Sequence, residues 1–305
     1  MAASSANKDD MNAGRLTSIQ IHPIKSCRRI VFDETHNIWE VEITATGLAH
    51  DREWQIVDAA GTPVTQRQHR VLAVVQPQLI DGGLRISAPG HDAVEVAHPT
   101  ANDVTIRGLL GDDVNCGDAG DEAAGFFTRV TGEDCRLVAI TPETDRRVGL
   151  FPNRIVTFVD SAPVLVVNTA SLIDLQQRAS EPIPMERFRP NLVIETEDPW
   201  AEDTWKHFTI GDARLVGTLP WPRCAIPQID QDTSERTKEP AVVLRAHRWC
   251  AEAPGMAPGL RAALEGNALF GMASSIEPEG AFVKIGDHLD VQSTVEPLLT
   301  PPAAL

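Results

Sequence analysis

The chain has 305 residues, and its 42% hydrophobic content is enough for a substantial core in two ordinary domains or one large one. Its net charge of −16 argues against a nucleic-acid partner, because proteins that bind phosphate backbones usually present a basic face. The same charge disfavours anionic membrane surfaces, and because no stretch approaches ~18 apolar residues without a charge, we predict no membrane span.

The five cysteines are scattered, odd in number and contain no Cys-x-x-Cys pair. This spacing argues against a structural zinc site and a cysteine-ligated iron–sulfur cluster, and favours reduced thiols in a reducing compartment. Residues 1–12 have neither the apolar run of a secretory signal nor the arginines of a transit peptide. We therefore expect a cytoplasmic protein.

The first half of the chain predicts an N-terminal β-rich domain over residues 14–141, after a disordered start over residues 1–13. Alternation of apolar and polar residues over 15–23 predicts a strand, and short apolar runs separated by turn residues predict further antiparallel strands. These runs begin at Val41, Trp54, Leu72, Leu84, Ala93 and Val104. Acidic residues in the first turn and a glycine at the end predict a helix over Asp121–Thr131, followed by a strand from Cys135.

The polar, proline-punctuated residues 142–153 indicate a domain boundary, and residues 150–295 predict a second domain. A helix over residues 169–179 has Asn168 or Thr169 as its N-cap. Gly286 and Asp287 lie between two strand-like runs, and this pair of turn residues predicts a hairpin within residues 281–291. The other predicted strands span residues 155–159, 164–167, 191–195, 204–210 and 213–218. Residues 254–266 predict a loop with a short helix, and residues 296–305 a flexible, proline-rich tail. The predicted fold class is α+β, predominantly antiparallel β.

Cys224 ends the segment Trp221-Pro222-Arg223-Cys224. A lone cysteine is as often a small buried hydrophobe as a ligand, and its local sequence leaves both readings open. A thiolate selects soft metals, and the neighbouring Arg223 favours the thiolate form.

Isolated cationic residues supply candidate anion contacts. Lys25 and Ser26 follow a strand on a turn, where an ammonium and a hydroxyl can bind a phosphate. Arg52 follows Asp51, a pattern more typical of an exposed ion pair. Residues 187–191 read Arg-Phe-Arg-Pro-Asn, and we expect both arginines on one side of an extended chain, since proline favours extended geometry at Arg189. The amide of Asn191 can read the edge of a heterocycle.

Together these residues resemble the MOSC family, in the branch that carries an N-terminal MOSC β-barrel domain and includes the mitochondrial amidoxime-reducing components and bacterial reductases of N-hydroxylated compounds. The resemblance runs from about residue 15 to residue 291. It rests on the order of segments 23–27, 47–54, 58–61, 65–68, 160–163, 170–172, 187–191, 202–205, 223–224, 239–240, 270–271 and 286–287. It implies an N-terminal β-rich domain packed on a MOSC β-barrel.

The resemblance also implies a cofactor, Mo-molybdopterin, with the Cys224 thiolate as the protein ligand of its molybdenum. Lys25, Ser26 and Arg52 would hold its phosphate end. The residues that would line the pterin or its linker are Asp160, Ser161, Arg189, Asn191 and Arg223. Two departures from the family pattern stand out: Trp221 occupies the position of a first cysteine, and Pro227-Gln228 replaces a Thr-Thr pair.

The implied activity is reduction of small N-hydroxylated compounds such as amidoximes, hydroxylamines and N-oxides. Some relatives carry a ferredoxin-like domain with four cysteines that this chain does not show, so electrons are expected from a separate electron-transfer protein. The alternative is sulfur carriage or molybdenum-cofactor delivery, with a persulfide on Cys224. A third possibility, a binding module that has lost its cofactor, is disfavoured by the intact cationic set.

Overall fold

The computed structural model describes residues 14–32 and 39–303, so the predicted disordered start lies outside the described residues. The fold is mostly antiparallel β, which confirms the predicted class. The strands are β1 (Gly14–Ile21), β2 (Ile30–Phe32), β3 (Glu40–Thr44), β4 (Gly47–Leu48), β5 (Trp54–Asp58), β6 (Gln76–Ile80), β7 (Gly83–Ala88), β8 (His91–Ala97), β9 (Val104–Arg107), β10 (Asp113–Asp118), β11 (Cys135–Ala139), β12 (Val164–Asn168), β13 (Leu192–Glu195), β14 (Trp205–Ile210), β15 (Ala213–Arg223), β16 (Trp249–Cys250), β17 (Asn267–Glu277), β18 (Phe282–Lys284) and β19 (His288–Thr294). The α-helices are α1 (Asp121–Thr131), α2 (Thr169–Arg178), α3 (Ala241–His247) and α4 (Pro258–Leu264).

Seven strands close into a barrel in the order β12-β13-β1-β19-β14-β15-β17, with β17 returning to β12. Every pairing in this ring is antiparallel except that of β12 with β13. The chain's first described strand, β1, therefore completes the barrel. A bulge between Leu16 and Ser18 shifts the alternation of β1, so that Leu16, Ile19 and Ile21 are all buried.

A second lobe is built from the sheets β5-β11-β10-β9 and β6-β7-β8, which share a core with α1. The helix predicted over Asp121–Thr131 is confirmed at both ends. It buries Phe126 and Phe127 completely, and Gly132 ends it in the left-handed conformation with φ 78°. The second predicted helix also forms, as α2, and the Asn168 side chain caps it by accepting from the Ala170 N–H at 3.0 Å. The predicted boundary at residues 142–153 stays a prediction.

Two predicted elements away from the cavity are wrong, the strand from Leu72 and the hairpin at Gly286 and Asp287. The run from Leu72 forms a 3-10 helix over Arg70–Val74, because its backbone bonds close locally, from the Leu72 N–H to His69 and from the Val75 N–H to Leu72. The predicted hairpin at Gly286 and Asp287 does not form either. The backbone groups of this turn bond to Leu16 of β1, so the flanking strands diverge, and β18 pairs with β3 while β19 pairs with β14 and β1.

A buried charge cluster lies beside the barrel, where the side chains of Asp203 and Arg248 form an ion pair. Arg248 is fully buried, lies 4.2 Å from the centre of the Trp200 ring and donates from Nε to the Leu269 carbonyl at 3.4 Å. Burial, with the charge of Asp203, raises the pKa of the adjacent Glu202 to about 7.

No helix among the described residues has the length and apolar character needed to cross a bilayer.

Candidate functional site

One cavity of about 820 Å³ brings together all nine site residues named from the sequence. Its lining includes Lys25, Ser26, Arg52, Asp160, Ser161, Arg189, Asn191, Arg223 and Cys224. These positions span 200 residues of sequence, from 25 to 224, and come from both lobes. Their convergence in one cavity is a property of the fold that the sequence order alone does not give.

Cys224 directly follows β15, the long barrel strand that ends at Arg223. Pro220 and Pro222 fall at a register shift in the pairing of β15 with β17, which is how the strand tolerates residues without a backbone donor. All five cysteines lie within the described residues, and Cys224 alone is exposed. The other four are buried and packed, so Cys224 is the thiol available to a ligand.

Lys25 and Asp160 form an ion pair at the cavity wall. The Lys25 Nζ lies 2.6 Å from the Asp160 carboxylate and donates to the Phe158 carbonyl at 2.7 Å. Burial lowers the pKa of Lys25 although Asp160 opposes this. Burial also acts to raise the pKa of Asp160, but the Lys25 charge and hydrogen bond outweigh it and hold that pKa below its usual range.

The strand predicted over residues 155–159 does not form, and the reason is the cationic site itself. Arg146 donates to the carbonyls of Thr157 and Val159, and Lys25 donates to the carbonyl of Phe158. The Phe158 N–H donates to the Arg52 carbonyl at 2.9 Å. Because cationic side chains bind these carbonyls in place of a neighbouring strand, the segment is irregular and places Asp160 and Ser161 in the lining.

Arg52 is held in a partly buried cluster, unlike the exposed ion pair typical of its local sequence. Its Nη1 donates to the Asp51 carboxylate and, at 3.0 Å, to the amide oxygen of Asn191. The same oxygen accepts from the Leu165 N–H at 3.1 Å, and the Asn191 Nδ2 donates to the Gln20 carbonyl at 3.1 Å. Asn191 thus fixes Arg52 against the barrel, and one of its four hydrogen-bonding positions remains for a ligand.

The expectation of an extended Arg187-Phe-Arg189 segment is wrong. Met185–Phe188 is a 3-10 helix, and Arg189 ends it with φ 52° and ψ 49°. The two guanidinium groups therefore diverge: Arg187 donates to Asp230 at 3.1 Å, whereas Arg189 donates to the Cys27 carbonyl at 2.8 Å and to Gln231 at 3.1 Å. Burial, reinforced by Arg52, lowers the pKa of Arg189 to about 9.

A pair of buried glutamines ties Arg189 to the phosphate-binding candidates. Gln66 and Gln231 bond to each other reciprocally at 3.0 Å, and the Gln66 amide donates to the Ser26 carbonyl at 2.7 Å. Ser26, Arg52 and Arg189 all have left-handed backbone conformations, with φ of 70°, 53° and 52°. Such strained non-glycine residues cluster at functional sites, where the surrounding structure has to hold them in place.

Arg223 carries the clearest unfilled donors. Its Nη2 donates to the Phe188 carbonyl at 2.7 Å, while Nε and Nη1 are buried without a partner among the described residues. Burial lowers the pKa of Arg223 to about 10, against the opposing charges of Cys224 and Asp160. Because buried donors are normally satisfied, this guanidinium indicates an acceptor supplied by a bound group.

Arg67 is a site residue that sequence reasoning missed. It lies in the second lobe, is exposed and lines the cavity. Burial lowers its pKa, but the charges of Cys224 and Asp160 and a hydrogen bond to Cys224 outweigh this, and the pKa lies above its ordinary value. The sequence does point to its segment, Thr65-Gln-Arg-Gln68, as part of the family pattern, but the pattern alone assigns Arg67 no function.

The charges of the lining suit an anionic ligand. Five cations, Lys25, Arg52, Arg67, Arg189 and Arg223, face one carboxylate, Asp160, in a chain of net charge −16. The described part of the chain contains no group of three His, Cys, Asp or Glu side chains placed to hold a metal. A metal at Cys224 would therefore need its other ligands from a cofactor. The soft thiol, the cationic set and the unfilled donors of Arg223 fit Mo-molybdopterin, which brings its own sulfur ligands and an anionic phosphate.

Comparison with known proteins gives matches over both lobes. The MOSC N-terminal beta barrel domain profile matches residues 13–134, and the MOSC domain profile matches residues 153–290. Mitochondrial amidoxime reducing component 2 of Rattus norvegicus is 32% identical over 291 residues, which cover 90% of this chain and 82% of that protein. Mitochondrial amidoxime-reducing component 1 of Homo sapiens is 30% identical over 288 residues, again covering 90% and 82%. A molybdenum cofactor sulfurase of Danio rerio is 30% identical over 259 residues, which cover 76% of this chain but 30% of that protein.

Proposed function

Because the chain belongs to the MOSC family, and shares both domains and most of its length with amidoxime-reducing components, we propose that it is an Mo-molybdopterin-dependent reductase of N-hydroxylated compounds. The observation that carries the proposal is the convergence of one exposed thiol, Cys224, with five cations in a single cavity. The reaction adds two electrons and two protons to an N–O bond and yields the N–H compound and water. A separate electron-transfer protein supplies the electrons.

Lys25, Ser26 and Arg52 hold the phosphate end of the cofactor in this proposal. Lys25 offers a point charge, and Arg52 is positioned by Asp51 and Asn191, so its guanidinium loses little freedom on binding. Arg189 is fixed by Cys27 and Gln231 and would add positive charge to the surface that lines the pterin. Arg223 would donate from its two unpartnered nitrogens, Nε and Nη1.

Cys224 supplies the protein thiol, and the guanidinium of Arg67, from the other lobe, lies close enough to interact with it. When bound, the cofactor would supply the redox chemistry that cleaves the N–O bond. Asp160, kept ionised by Lys25, would accept a hydrogen bond from an N–H donor of the pterin or its linker. The protein thus contributes position and charge.

An assay with an artificial donor tests this function. Protein from a molybdate-replete host, supplied with a dithionite-reduced viologen and an amidoxime, should oxidise two viologens for each amidine formed. Protein from a molybdate-starved host is the control and should be inactive. Absence of amidoxime, hydroxylamine and N-oxide reduction by molybdenum-loaded protein would overturn the proposal.

The similarity to the molybdenum cofactor sulfurase favours a second candidate, sulfur carriage or cofactor delivery through a persulfide on Cys224. The exposed thiol and the adjacent Arg67 suit a persulfide anion as well as a metal–thiolate. A cyanolysable sulfur on Cys224, together with absence of N–O reduction, would support this candidate over the reductase.

A further inference from the structure

The cavity lining includes an apolar surface that is partly open to solvent. Three separate segments contribute its exposed or half-buried apolar side chains, which are Leu109, Leu110, Leu150, Leu260 and Ala263. We call these five residues the apolar rim. Within the described residues, every charged side chain of the lining lies outside these segments. Leu110 is 58% exposed, the most exposed of the large hydrophobic residues on the described surface.

The tip that carries Leu109 and Leu110 is a hydrogen-bonded turn between β9 and β10. The Gly108 N–H donates to the Asp112 carbonyl at 2.6 Å, and the Gly111 N–H donates to the Gly108 carbonyl at 2.9 Å. Gly111 has φ 86°, a conformation that a side chain would strain. The tip therefore presents its two leucines in a fixed position.

The tip is also fixed relative to the charged end of the cavity. The Asp112 carboxylate accepts from Arg146 Nε at 3.0 Å. Arg146 in turn binds the carbonyls of Thr157 and Val159, in the segment that leads to Asp160. One buried arginine thus joins the apolar rim to the site of the proposed chemistry.

Leu260 and Ala263 of the apolar rim come from α4. Their spacing of i and i+3 places them on the same face of the helix, and both line the cavity. A ligand that fills the cavity therefore meets both the charged groups and the apolar rim.

We propose that the apolar rim selects N-hydroxylated substrates with an uncharged aryl or alkyl substituent, and that Leu110 is a specificity-determining residue. This inference rests on the proposed reductase function. The substituent covers Leu110 and the neighbouring leucines on binding, and burying apolar surface is favourable in proportion to its area. A cationic substituent gains no carboxylate partner among the rim residues and meets five cations elsewhere in the lining.

Three amidoximes test the inference: one with a phenyl, one with a methyl and one with a trimethylammonio-phenyl substituent. We expect the wild-type kcat/KM to be higher for phenyl than for methyl by about tenfold or more, and lowest for the cation, since one apolar group in such a pocket is worth at least that factor. Leu110→Ser should lower the phenyl-to-methyl ratio about tenfold. Leu110→Glu should raise kcat/KM for the cationic substrate.

Leu79→Ser is the matched control, because Leu79 is 40% exposed on β6 and lies outside the cavity lining. It should leave the ratio unchanged. Equal wild-type kcat/KM for phenyl and methyl, or an unchanged ratio in Leu110→Ser, would overturn the rim inference while leaving the reductase function intact. Where none of the three compounds is reduced, the reductase function fails. Calorimetry then gives the dissociation constants of the phenyl and methyl compounds for wild type and Leu110→Ser. An equal affinity of wild type for the two compounds, or an affinity ratio unchanged in Leu110→Ser, would overturn the rim inference.

Discussion

Cys224→Ser should lower the rate of amidoxime reduction by more than about 100-fold. Mutating residues that only hydrogen-bond to a metal's ligands already lowers activity by up to about 100-fold, and Cys224 is the proposed ligand itself. A hydroxyl is a hard ligand and does not replace a soft thiolate on molybdenum. The free energy of unfolding should change by less than about 0.5 kcal/mol, because Cys224 is exposed. Rates with reduced viologen and denaturant unfolding of the same preparations measure both quantities.

Cys135→Ser is the matched control and should show the opposite pattern. Cys135 is buried in the core shared by β5, β11 and α1, with its sulfur 3.4 Å from the Thr131 hydroxyl. The substitution should cost about 1–3 kcal/mol of stability, because it buries a more polar group, and leave the rate per folded molecule unchanged. A Cys224→Ser protein that reduces amidoximes at the wild-type rate would exclude Cys224 as the functional thiol.

Arg248→Met should reduce the free energy of unfolding at pH 7.5 by about 3–5 kcal/mol, the usual cost of leaving a buried charge without its partner. The side chains of Arg248 and Asp203 are 0% and 1% exposed, so solvent cannot replace the lost guanidinium. The variant also loses the contact with the Trp200 ring. Urea unfolding of wild type and variant gives the difference.

The loss should depend on pH with a definite sign. The pKa of Glu202 is already raised to about 7 by burial and by Asp203, and removal of Arg248 takes a positive charge away from both carboxyl groups. Groups whose folded-state pKa lies above the unfolded value stabilise the fold below the unfolded pKa, and lose that contribution as pH rises through the folded pKa. The destabilisation of Arg248→Met should therefore be smaller at pH 5 than at pH 7.5.

Arg214→Met provides the comparison at an exposed pair. Arg214 and Glu277 lie 3.3 Å apart with side chains 61% and 59% exposed. Exposed pairs contribute about 0–1 kcal/mol, so this change should be small and nearly independent of pH. Equal losses in the two variants, or a loss at Arg248 below about 1 kcal/mol, would contradict the role of the buried pair in holding the barrel.

The sequence was sufficient to predict the fold class, α1 and α2, because alternation and capping residues are local properties of the chain. It supplied nine candidate site residues through the family resemblance, but their meeting in one cavity is visible only in the folded chain. It failed where a long-range contact overrode a local preference. Residues 155–159 have a strand pattern, but the side chains of Arg146 and Lys25 donate hydrogen bonds to carbonyls of this segment. The turn at Gly286 looks like a hairpin, but it bonds to Leu16, 270 residues earlier.

The conformation of Arg189 shows the same limit inside the site. A residue before proline normally prefers extended geometry, and here Cys27 and Gln231 hold the guanidinium of a left-handed residue. Arg67 could not be assigned from its segment either, because its significance lies in its closeness to Cys224, 157 positions later in the chain. Sequence order identifies candidates, and only the folded chain shows which of them share a cavity.

The central claim is that Cys224 and the cationic cavity hold one Mo-molybdopterin. Elemental analysis of wild-type protein from a molybdate-replete host, combined with pterin fluorescence and cyanolysis of the same sample, tests it most directly. We predict molybdenum and pterin each at about one per chain, with no cyanolysable sulfur. Protein free of molybdenum that carries a cyanolysable sulfur on Cys224 would contradict the claim.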